Sequence, residues 1–184
     1  MKIIIGLVGQ IACGKGAVKK YLAKKYNAKD CKYSTPLRDV INRLTISESR
    51  ENLQKLSTTL RESFGQDLLA KVIASDASKL DSEIVVIDGI RRMEDMKYLK
   101  ELPNFYLIQV EVDAKIRYER MIARNENVGD KDKTFEQFIA DQNNETEKEI
   151  PKVMDFAKIS IDNNGTLEEL YENTDKVIED ILKR

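Results

Sequence analysis

Short apolar runs rich in β-branched residues recur along the chain, and polar or glycine-containing segments separate them. Runs of this length are typical of strands that are buried on both faces of a parallel sheet. The first run ends at Gly9, and the third is followed by Asp88-Gly89. The predicted strands cover residues 2–8, a shorter stretch at 31–34, and residues 84–87, 105–112 and 159–161.

Helical spacing of apolar residues fills the intervals between these strands. After Pro36, for example, Leu37, Ile41 and Leu44 recur at the spacing of one helix face. Capping-box pairs, which place Thr three positions before Glu or Gln, predict helix starts at Thr45 with Glu48, Thr134 with Gln137 and Thr166 with Glu169. Together these signals predict helices over residues 15–26, from Pro36, from Thr45 to Gly65, over 67–80 and 113–124, and from Thr134 and Thr166.

The alternation of strands and helices predicts a fold class. Strand followed by helix, repeated along a chain, favours a three-layer α/β/α arrangement around a mainly parallel sheet, here of five strands. The 184 residues fit the usual size of one domain, and no internal repeat or low-complexity linker divides them. We therefore expect residues 1–184 to form one domain.

Composition and charge exclude several classes of function. The 31 Lys and Arg residues balance 32 Asp and Glu residues, which argues against a strongly basic nucleic-acid-binding protein. The longest apolar run, at residues 3–8, is far shorter than the ~20 residues of a membrane span, and no secretory signal pattern is present. We therefore expect a cytoplasmic protein without nucleic-acid or membrane partners. Its oligomeric state stays open.

The chain contains no histidine and two cysteines, Cys13 and Cys31. Hydrolases of the Ser-His-Asp and Cys-His types need an imidazole base, so the sequence excludes them. The two cysteines form no Cys-x-x-Cys pair, which argues against a zinc site or a disulfide framework. We expect both to be reduced, unpaired thiols.

A phosphate-binding loop is the strongest chemical signal. Gly9-Gln10-Ile11-Ala12-Cys13-Gly14-Lys15-Gly16 follows a predicted strand and opens a predicted helix, as a G-x-x-x-x-G-K loop requires. Its backbone amides and the helix N-terminus would bind phosphate oxygens, and Lys15 would reach the β- and γ-phosphates. Gly16 supplies no hydroxyl for magnesium, and a plain Gly-rich turn is the alternative interpretation. The residues expected at the donor phosphates are Gly9, Ala12, Cys13, Gly14, Lys15, Gly16 and Ala17.

With this loop the chain resembles the adenylate-kinase-like nucleotide kinases, whose loops commonly read Gly-Lys-Gly and leave Mg²⁺ largely to water and phosphates. The resemblance implies ATP and Mg²⁺ as cofactors. It also implies that the missing hydroxyl at Gly16 is normal for the family. Ala17 is a departure, because such kinases usually have Thr there, and one phosphate contact is lost with it.

Two further motifs resemble the acceptor side of adenylate kinases. Ser34-Thr35-Pro36-Leu37-Arg38 is similar to their Ser-Thr…Leu-Arg stretch, and Asp88-Gly89-Ile90-Arg91 is similar to Asp-Gly-Phe-Pro-Arg with one residue fewer. The resemblance implies that Ser34 and Thr35 hold the acceptor, and that residues of about 35–80 form the helical segment that binds it. Arginine can grip a phosphate with two parallel hydrogen bonds, so Arg38 and Arg91 are the expected phosphate ligands. On composition alone, Arg38 would more often be a solvated helix residue, and the pairing with the second motif favours the phosphate role.

Asp88 ends a β-branched strand, which is where Walker-B-type carboxylates lie. Such a carboxylate can hold a water molecule on Mg²⁺, so Asp88 is the candidate metal residue. It could also cap the turn before Arg91. Both interpretations stay open at this point.

Three arginines share one face of the helix predicted over residues 113–124. Arg117, Arg120 and Arg124 are spaced i, i+3 and i+7, and a solvated face is the alternative interpretation. The resemblance implies that Arg120 stacks on the donor adenine, that Arg124 contacts phosphate, and that a lid follows over about 125–150. No arginine lies between Arg124 and Arg184, so this lid would offer only Lys131 and Lys133 to the transferring phosphoryl group.

The wider pattern predicts an ATP-dependent nucleotide kinase. Residues 60–65, 88–91 and 161–170 resemble adenylate-kinase-related proteins that are grouped beside dephospho-coenzyme A kinases. The acceptor is expected to be a (deoxy)nucleoside monophosphate, because Lys32-Tyr33-Ser34-Thr35 lacks the carboxylate that would activate a hydroxyl acceptor. Dephospho-coenzyme A kinase and a nucleotide-binding switch or slow ATPase are the alternatives. The residues expected to act in catalysis are Lys15, Arg38, Arg91 and Arg124.

Overall fold

Five parallel strands form one sheet in the order β2-β3-β1-β4-β5. The computed structural model describes residues 2–125, 129–144 and 147–183. The strands are β1 (Ile3–Val8), β2 (Lys29–Lys32), β3 (Ile84–Asp88), β4 (Phe105–Glu111) and β5 (Ile159–Asp162). This arrangement confirms the predicted α/β class with a parallel sheet.

Helices cover both faces of the sheet. They are α1 (Lys15–Tyr26), α2 (Thr35–Arg43), α3 (Arg50–Phe64), α4 (Leu68–Lys79), α5 (Ala114–Arg124), α6 (Phe135–Asp141), α7 (Ile150–Met154) and α8 (Leu167–Leu182). Short 3₁₀ helices lie at Met93–Met96, Leu99–Glu101 and Asp130–Asp132.

The buried side chains divide into two cores, one on each face of the sheet. Ile4 and Val8 of β1 join the core with α2, α4 and α7, whereas Ile5 and Leu7 join the core with α1 and α8. Successive side chains of a strand point to opposite faces, so a strand between two cores must be apolar throughout. This explains the unbroken apolar run that predicted β1.

Two of the three predicted capping boxes are present. Thr134 N donates to Gln137 Oε1 at 2.8 Å, and Thr166 N donates to Glu169 Oε2 at 2.7 Å. The predicted box at Thr45 is wrong: α3 begins at Arg50, and the side chain of Ser49 accepts from Asn52 N at 3.1 Å. A Ser or Thr N-cap typically has extended backbone, as Ser49 does with a φ of −119°, whereas Thr45 has a φ of 57°.

Three other sequence expectations differ from the structure in detail. The second strand, β2, begins at Lys29 and ends at Lys32, two residues before the predicted stretch ends. Asp113 precedes α5, but its side chain makes no capping hydrogen bond. The short helix α7 and the 3₁₀ helices at Met93–Met96 and Leu99–Glu101 were not predicted, since each is too short to show a period.

Both cysteines are buried and unpaired. Burial in the apolar core raises the pKa of the Cys31 thiol to about 11, with a smaller contribution from the charge of Asp76. A thiol with such a pKa stays protonated at neutral pH and is a poor nucleophile.

Candidate active site

The phosphate loop connects the end of β1 to the start of α1 at the carboxyl edge of the sheet. Gly14 forms the N-cap of α1 with a φ of 100°, a left-handed conformation that favours glycine. Lys15 Nζ donates to Gly9 O at 2.5 Å and lies 3.5 Å from Cys13 Sγ. The ammonium of Lys15 therefore lies over the loop, where phosphate oxygens would meet it.

Asn163, at the end of β5, fixes this loop from 150 residues away. Its Nδ2 donates to Cys13 O at 2.8 Å, and its backbone N donates to Glu111 O at 2.9 Å. The fit is close, because a Cβ added to Gly14 would lie 2.2 Å from that Nδ2. Asn163 was not among the predicted site residues, and its position directly after a predicted strand was the available signal for this role.

Asp88 ends β3 directly beside the loop, since it pairs in register with Leu7 of β1. Its Oδ2 accepts from Lys19 Nζ at 2.6 Å. Asp95, rather than Asp88, stabilises the following turn, because Asp95 Oδ2 accepts from Arg91 N at 3.0 Å and from Arg92 N at 3.1 Å. The capping role considered for the Asp88 side chain is therefore filled by Asp95.

Lys19 was not among the predicted site residues. Besides its contact with Asp88, its Nζ lies 3.1 Å from Asp30 Oδ2. Burial opposes the charge of Lys19, but the hydrogen bond and charge of Asp88, with those of Asp30, outweigh it and raise the pKa of Lys19. Lys19 follows Lys15 by four positions, a spacing that places both on one face of α1. That spacing was the signal that could have identified it.

A cavity of about 390 Å³ opens between α3 and the carboxyl ends of β2 and β3, on the side where the acceptor was predicted to bind. Apolar Leu37, Leu53 and Leu69 form part of its wall. Its cationic lining residues are Lys32, Arg50, Arg61, Arg91 and Arg92. Ser34 and Asp88 also line the cavity, and their acceptor roles stay predictions. The cavity therefore combines an apolar wall with an excess of positive charge.

The predicted acceptor arginines differ in position. Arg91 lines the cavity, and its Nη1 lies 3.1 Å from Glu147 Oε1. Arg38 pairs with Glu48 and is not among the lining residues. Thr35, the first residue of α2, is also absent from the lining. The acceptor roles of Arg38 and Thr35 stay predictions.

Arg61 anchors the inner end of the cavity through a buried network. Its Nη2 lies 2.8 Å from Asp95 Oδ1, and the backbone O of Asp95 accepts from Tyr33 OH at 2.5 Å. Burial raises the pKa of Tyr33, which keeps the phenol protonated as a donor. Asp95 thus joins α3, the turn after β3 and the segment after β2.

The three arginines of α5 have separate surroundings. Arg117 is buried, and its Nη1 donates to Ile11 O at 3.4 Å in the phosphate loop. Burial lowers the pKa of Arg117. Arg120 Nη2 donates to Gly165 O at 3.3 Å in the loop after β5, whereas Arg124 is exposed in the last turn of α5. The adenine and phosphate roles of Arg120 and Arg124 stay predictions.

A second cavity of about 400 Å³ lies beside the phosphate loop at the ends of β4 and β5. Its lining includes Gln10, Cys13, Arg117 and Asn164. The two cavities therefore lie on opposite sides of the end of β1, with the phosphate loop between them.

Part of the segment predicted as a lid, residues 125–150, contacts the phosphate loop. Residues 126–128 and 145–146 of this prediction lie outside the described residues. Phe138 of α6 is buried and packs on the guanidinium of Arg117, with 5.3 Å from the ring centroid to Cζ. After α6, Gln142 Oε1 accepts from Gln10 Nε2 at 2.7 Å and from Arg117 Nη2 at 3.2 Å. The lid lysine Lys133 pairs with Asp141 at 2.5 Å.

The described part of the chain has neither a cluster of metal ligands nor a membrane-spanning helix. Residues 2–125, 129–144 and 147–183 hold no group of three or more His, Cys, Asp and Glu side chains that could bind a metal ion by themselves. Within the same ranges, none of the helices has the length and apolar character needed to cross a bilayer.

Relatives of known sequence cover nearly the whole chain. The family described as AAA domain matches residues 8–138, from the end of β1 to α6. The UPF0200 protein of Sulfurisphaera tokodaii is 30% identical over 181 residues, which cover 97% of this chain and 97% of that protein. The UPF0200 protein of Thermococcus kodakarensis is 26% identical over 191 residues, which cover 99% of this chain and all of that protein.

Solved structures share the fold at low sequence identity. Shikimate kinase from Bacteroides thetaiotaomicron has a TM-score of 0.60 and 12% identity, over 96% of this chain and 98% of that chain. The structure of TT1252 from Thermus thermophilus has a TM-score of 0.59 and 18% identity, over 97% of both chains. These likenesses confirm the P-loop kinase fold. Because the AAA-domain family matches more than half of the chain and the Sulfurisphaera relative is 30% identical over nearly its full length, this chain belongs to that AAA-domain family and to the UPF0200 family, and it has a P-loop kinase-like fold.

Proposed function

We propose that this protein transfers the γ-phosphate of ATP to a small nucleotide acceptor, a nucleoside or deoxynucleoside monophosphate. The observation that carries the proposal is the position of Asp88. It lies beside the phosphate loop in register with Leu7, and it also lines the cationic cavity. A donor phosphate on the loop and an acceptor phosphate in the cavity would therefore meet at the ends of β1 and β3.

The donor side would act through Lys15 and the loop backbone. The N-terminus of α1 supplies positive potential, and the Lys15 ammonium would exchange its hydrogen bond with Gly9 O for phosphate oxygens. Both groups stabilise the charge that develops during phosphoryl transfer, and positioning and charge stabilisation are the main contributions of a kinase to this reaction. Arg120 and the loop after β5 would lie beside the nucleoside of ATP.

The acceptor side suits a nucleotide better than a purely polar ligand. The apolar Leu37, Leu53 and Leu69 offer a surface for a base, and Gln54 and Ser57 on α3 offer amide and hydroxyl groups to its edge. Arg91 would bind the acceptor phosphate after leaving Glu147. An acceptor phosphate is already anionic, so the reaction would need positioning rather than a general base.

The residues present fit magnesium as a cofactor held mainly by the nucleotide. Gly16 supplies no hydroxyl ligand, and Asp88 supplies one carboxylate at the junction of the two sites. When bound, magnesium would neutralise phosphate charge during transfer. Asp88 would orient a water molecule of its hydration shell.

A slow ATPase or nucleotide-binding switch is the second candidate function. Arg38 pairs with Glu48, Arg91 pairs with Glu147, and the described lid segment carries no arginine. A site with its acceptor arginines paired internally can bind ATP without transferring its phosphate to another nucleotide. This candidate predicts ADP production without a phosphorylated product.

The experiment that tests the proposal is a substrate panel. Nucleoside monophosphates, deoxynucleoside monophosphates, dephospho-coenzyme A and shikimate are each incubated with ATP, Mg²⁺ and protein. We expect ADP and a nucleoside diphosphate in equal amounts with at least one monophosphate. Lys15→Ala should remove turnover, whereas Lys20→Ala, an exposed position on the same helix, should retain it. Phosphorylation of dephospho-coenzyme A or shikimate alone, or ADP without any second product, would contradict the proposal.

A further inference from the structure

Lys19 connects α1 to the carboxyl edge of the sheet through a chain of alternating charges. Its Nζ lies 2.6 Å from Asp88 Oδ2 and 3.1 Å from Asp30 Oδ2, and Lys32 Nζ lies 3.2 Å from the same Asp30 oxygen. The Lys19 side chain is only 15% exposed, so packing against the sheet holds it in place. Two ammoniums and two carboxylates therefore balance one another at the ends of β2 and β3.

Lys19 occupies one oxygen of Asp88 and leaves the other open. Among the residues that the structure describes, Asp88 Oδ1 has no hydrogen-bond partner, and Asp88 lines the acceptor-side cavity. A carboxylate that is fixed through one oxygen presents the other in a defined direction, and that oxygen can accept further hydrogen bonds. Lys19 also separates the charges of Asp88 and Asp30, which would otherwise repel each other.

We propose that Lys19 is a positioning residue that fixes Asp88 through Oδ2, so that Oδ1 accepts a hydrogen bond from a water molecule of ATP-bound magnesium. The inference rests on the proposed function, because it requires ATP and magnesium at the phosphate loop. Gly16 gives the loop no hydroxyl for the metal, which increases the importance of Asp88. By fixing Asp88, Lys19 would therefore support metal binding at a loop that has no hydroxyl of its own for the metal.

The test measures how much Mg²⁺ strengthens ATP binding. Calorimetry gives the ATP dissociation constant with and without Mg²⁺ for the wild type, Lys19→Met, Lys19→Arg and Lys20→Met. Groups that orient metal-bound ligands typically change affinity by 10–100-fold when removed, so we expect Lys19→Met to reduce the strengthening by roughly tenfold. Lys19→Arg should restore part of it, because arginine keeps a cation near Asp88. Lys20→Met removes the same charge from the exposed face of α1 and should match the wild type.

A double variant distinguishes positioning from general stabilisation. In an Asp88→Asn background, Lys19→Met should cause no further loss of Mg²⁺-dependent ATP binding, since Lys19 acts through Asp88. If Lys19→Met does not fold, Lys19→Ala, which also removes the donor to Asp88, takes its place. This inference alone would be overturned if Mg²⁺ strengthened ATP binding by Lys19→Met as much as by the wild type. A further loss of Mg²⁺-dependent binding in the double variant would also overturn it. A wild-type protein that does not bind ATP would overturn the proposed function and this inference together.

Discussion

At the scale of single residues, Gly14 shows how close packing fixes the phosphate loop. It combines a φ of 100° with a space that Asn163 Nδ2 already fills, so any side chain there is both strained and obstructed. Gly16, two residues later, has nothing within 4 Å of an added Cβ. The two glycines form a matched pair for separating strain from the effect of a methyl group.

We predict that Gly14→Ala lowers the free energy of unfolding by about 1–3 kcal/mol, the usual cost of a residue held in an unfavourable backbone region. Gly16→Ala should leave it unchanged or raise it by up to about 1 kcal/mol, because alanine favours the helix more than glycine does. Urea unfolding followed by circular dichroism measures both. Equal destabilisation by the two substitutions would show that the Asn163 contact does not constrain Gly14.

A second residue-scale prediction concerns Arg91 and Arg38. Lysine provides a point charge where arginine provides two parallel hydrogen bonds, so Arg91→Lys and Arg38→Lys should each raise the KM for the acceptor with little change in the KM for ATP. Steady-state kinetics with each substrate varied in turn test this. If only the KM for ATP changes, the donor and acceptor sides of the site have been assigned in reverse.

At the scale of elements, Asp175 attaches the C-terminal helix α8 to α1. Asp175 Oδ2 accepts from Tyr21 OH at 2.6 Å and from Lys25 Nζ at 2.6 Å, and Oδ1 accepts from Tyr26 OH at 2.7 Å. Tyr21 also stacks on Tyr171 of α8, with ring centroids 4.2 Å apart. One carboxylate therefore holds three side chains of α1.

We predict that Asp175→Asn lowers the free energy of unfolding by about 1–2 kcal/mol, since charge-assisted hydrogen bonds are among the stronger ones. The control is Asp180→Asn, whose partner Lys183 lies 3.8 Å away with both side chains exposed. Asp180→Asn should lower the free energy of unfolding by no more than a few tenths of a kcal/mol, about the contribution of a weak surface ion pair. Equal losses would mean that the Asp175 cluster adds nothing beyond a surface charge.

The same cluster predicts a pH dependence. Burial and the hydrogen bond to Asp175 raise the pKa of Tyr26 from 10.0 to about 12. A raised pKa stabilises the folded state below the unfolded value, and this stabilisation is lost as the pH rises through the folded value. The wild type should therefore lose stability between pH 10 and 12. Asp175→Asn should lose less over that range, and an identical slope in both proteins would contradict the assignment.

The elements also show where sequence reasoning succeeds. Strands β1 and β3 were predictable because each is buried between two cores and is apolar along nearly its whole length, and β4 was predictable from the apolar run with which it begins, at residues 105–108. The start of α3 was not, because Thr45 with Glu48 and Ser49 offer competing local signals, and Glu48 pairs with Arg38 instead. The local cap formed by Ser49 and Asn52 decided the outcome there.

At the scale of the whole molecule, the phosphate loop was evident from spacing, but its support was not. Asn163 and Asp95 reach the site from distant elements, and Lys19 of α1 contacts Asp88 at the end of β3; no local pattern identifies these partners. Of the arginines that line the cationic cavity, Arg91 was singled out from the sequence, whereas Arg50 and Arg92 could be identified only from the packing of α3 and the turn after β3 around it. The residues of the phosphate loop could therefore be identified from the sequence, whereas the residues that support the loop could be identified only from the fold.

On the scale of the whole molecule, we predict that a lid closes over the bound nucleotide. We propose that residues 125–133, with part of α6, form a lid that closes on ATP; residues 126–128 of this segment lie outside the described residues. Hydrogen exchange with and without a bisubstrate dinucleotide should show the largest rise in protection in that segment. Because the described lid carries lysines and no arginine, transfer should also be slower than in adenylate kinases. Equal protection in both states would favour the switch.

The central claim is that the phosphate loop and the cationic cavity form one site for two nucleotides. Binding of a dinucleotide joined by five phosphates tests it most directly, since linking two ligands that fit adjacent sites raises the affinity well above that of either alone. Calorimetry should show the dinucleotide binding at least about a hundredfold more tightly than ATP, as such linkage commonly gives. Both Lys15→Ala and Arg91→Lys should weaken it, whereas Lys20→Ala should not. A dinucleotide that binds no more tightly than ATP, and is indifferent to Arg91→Lys, would contradict the account.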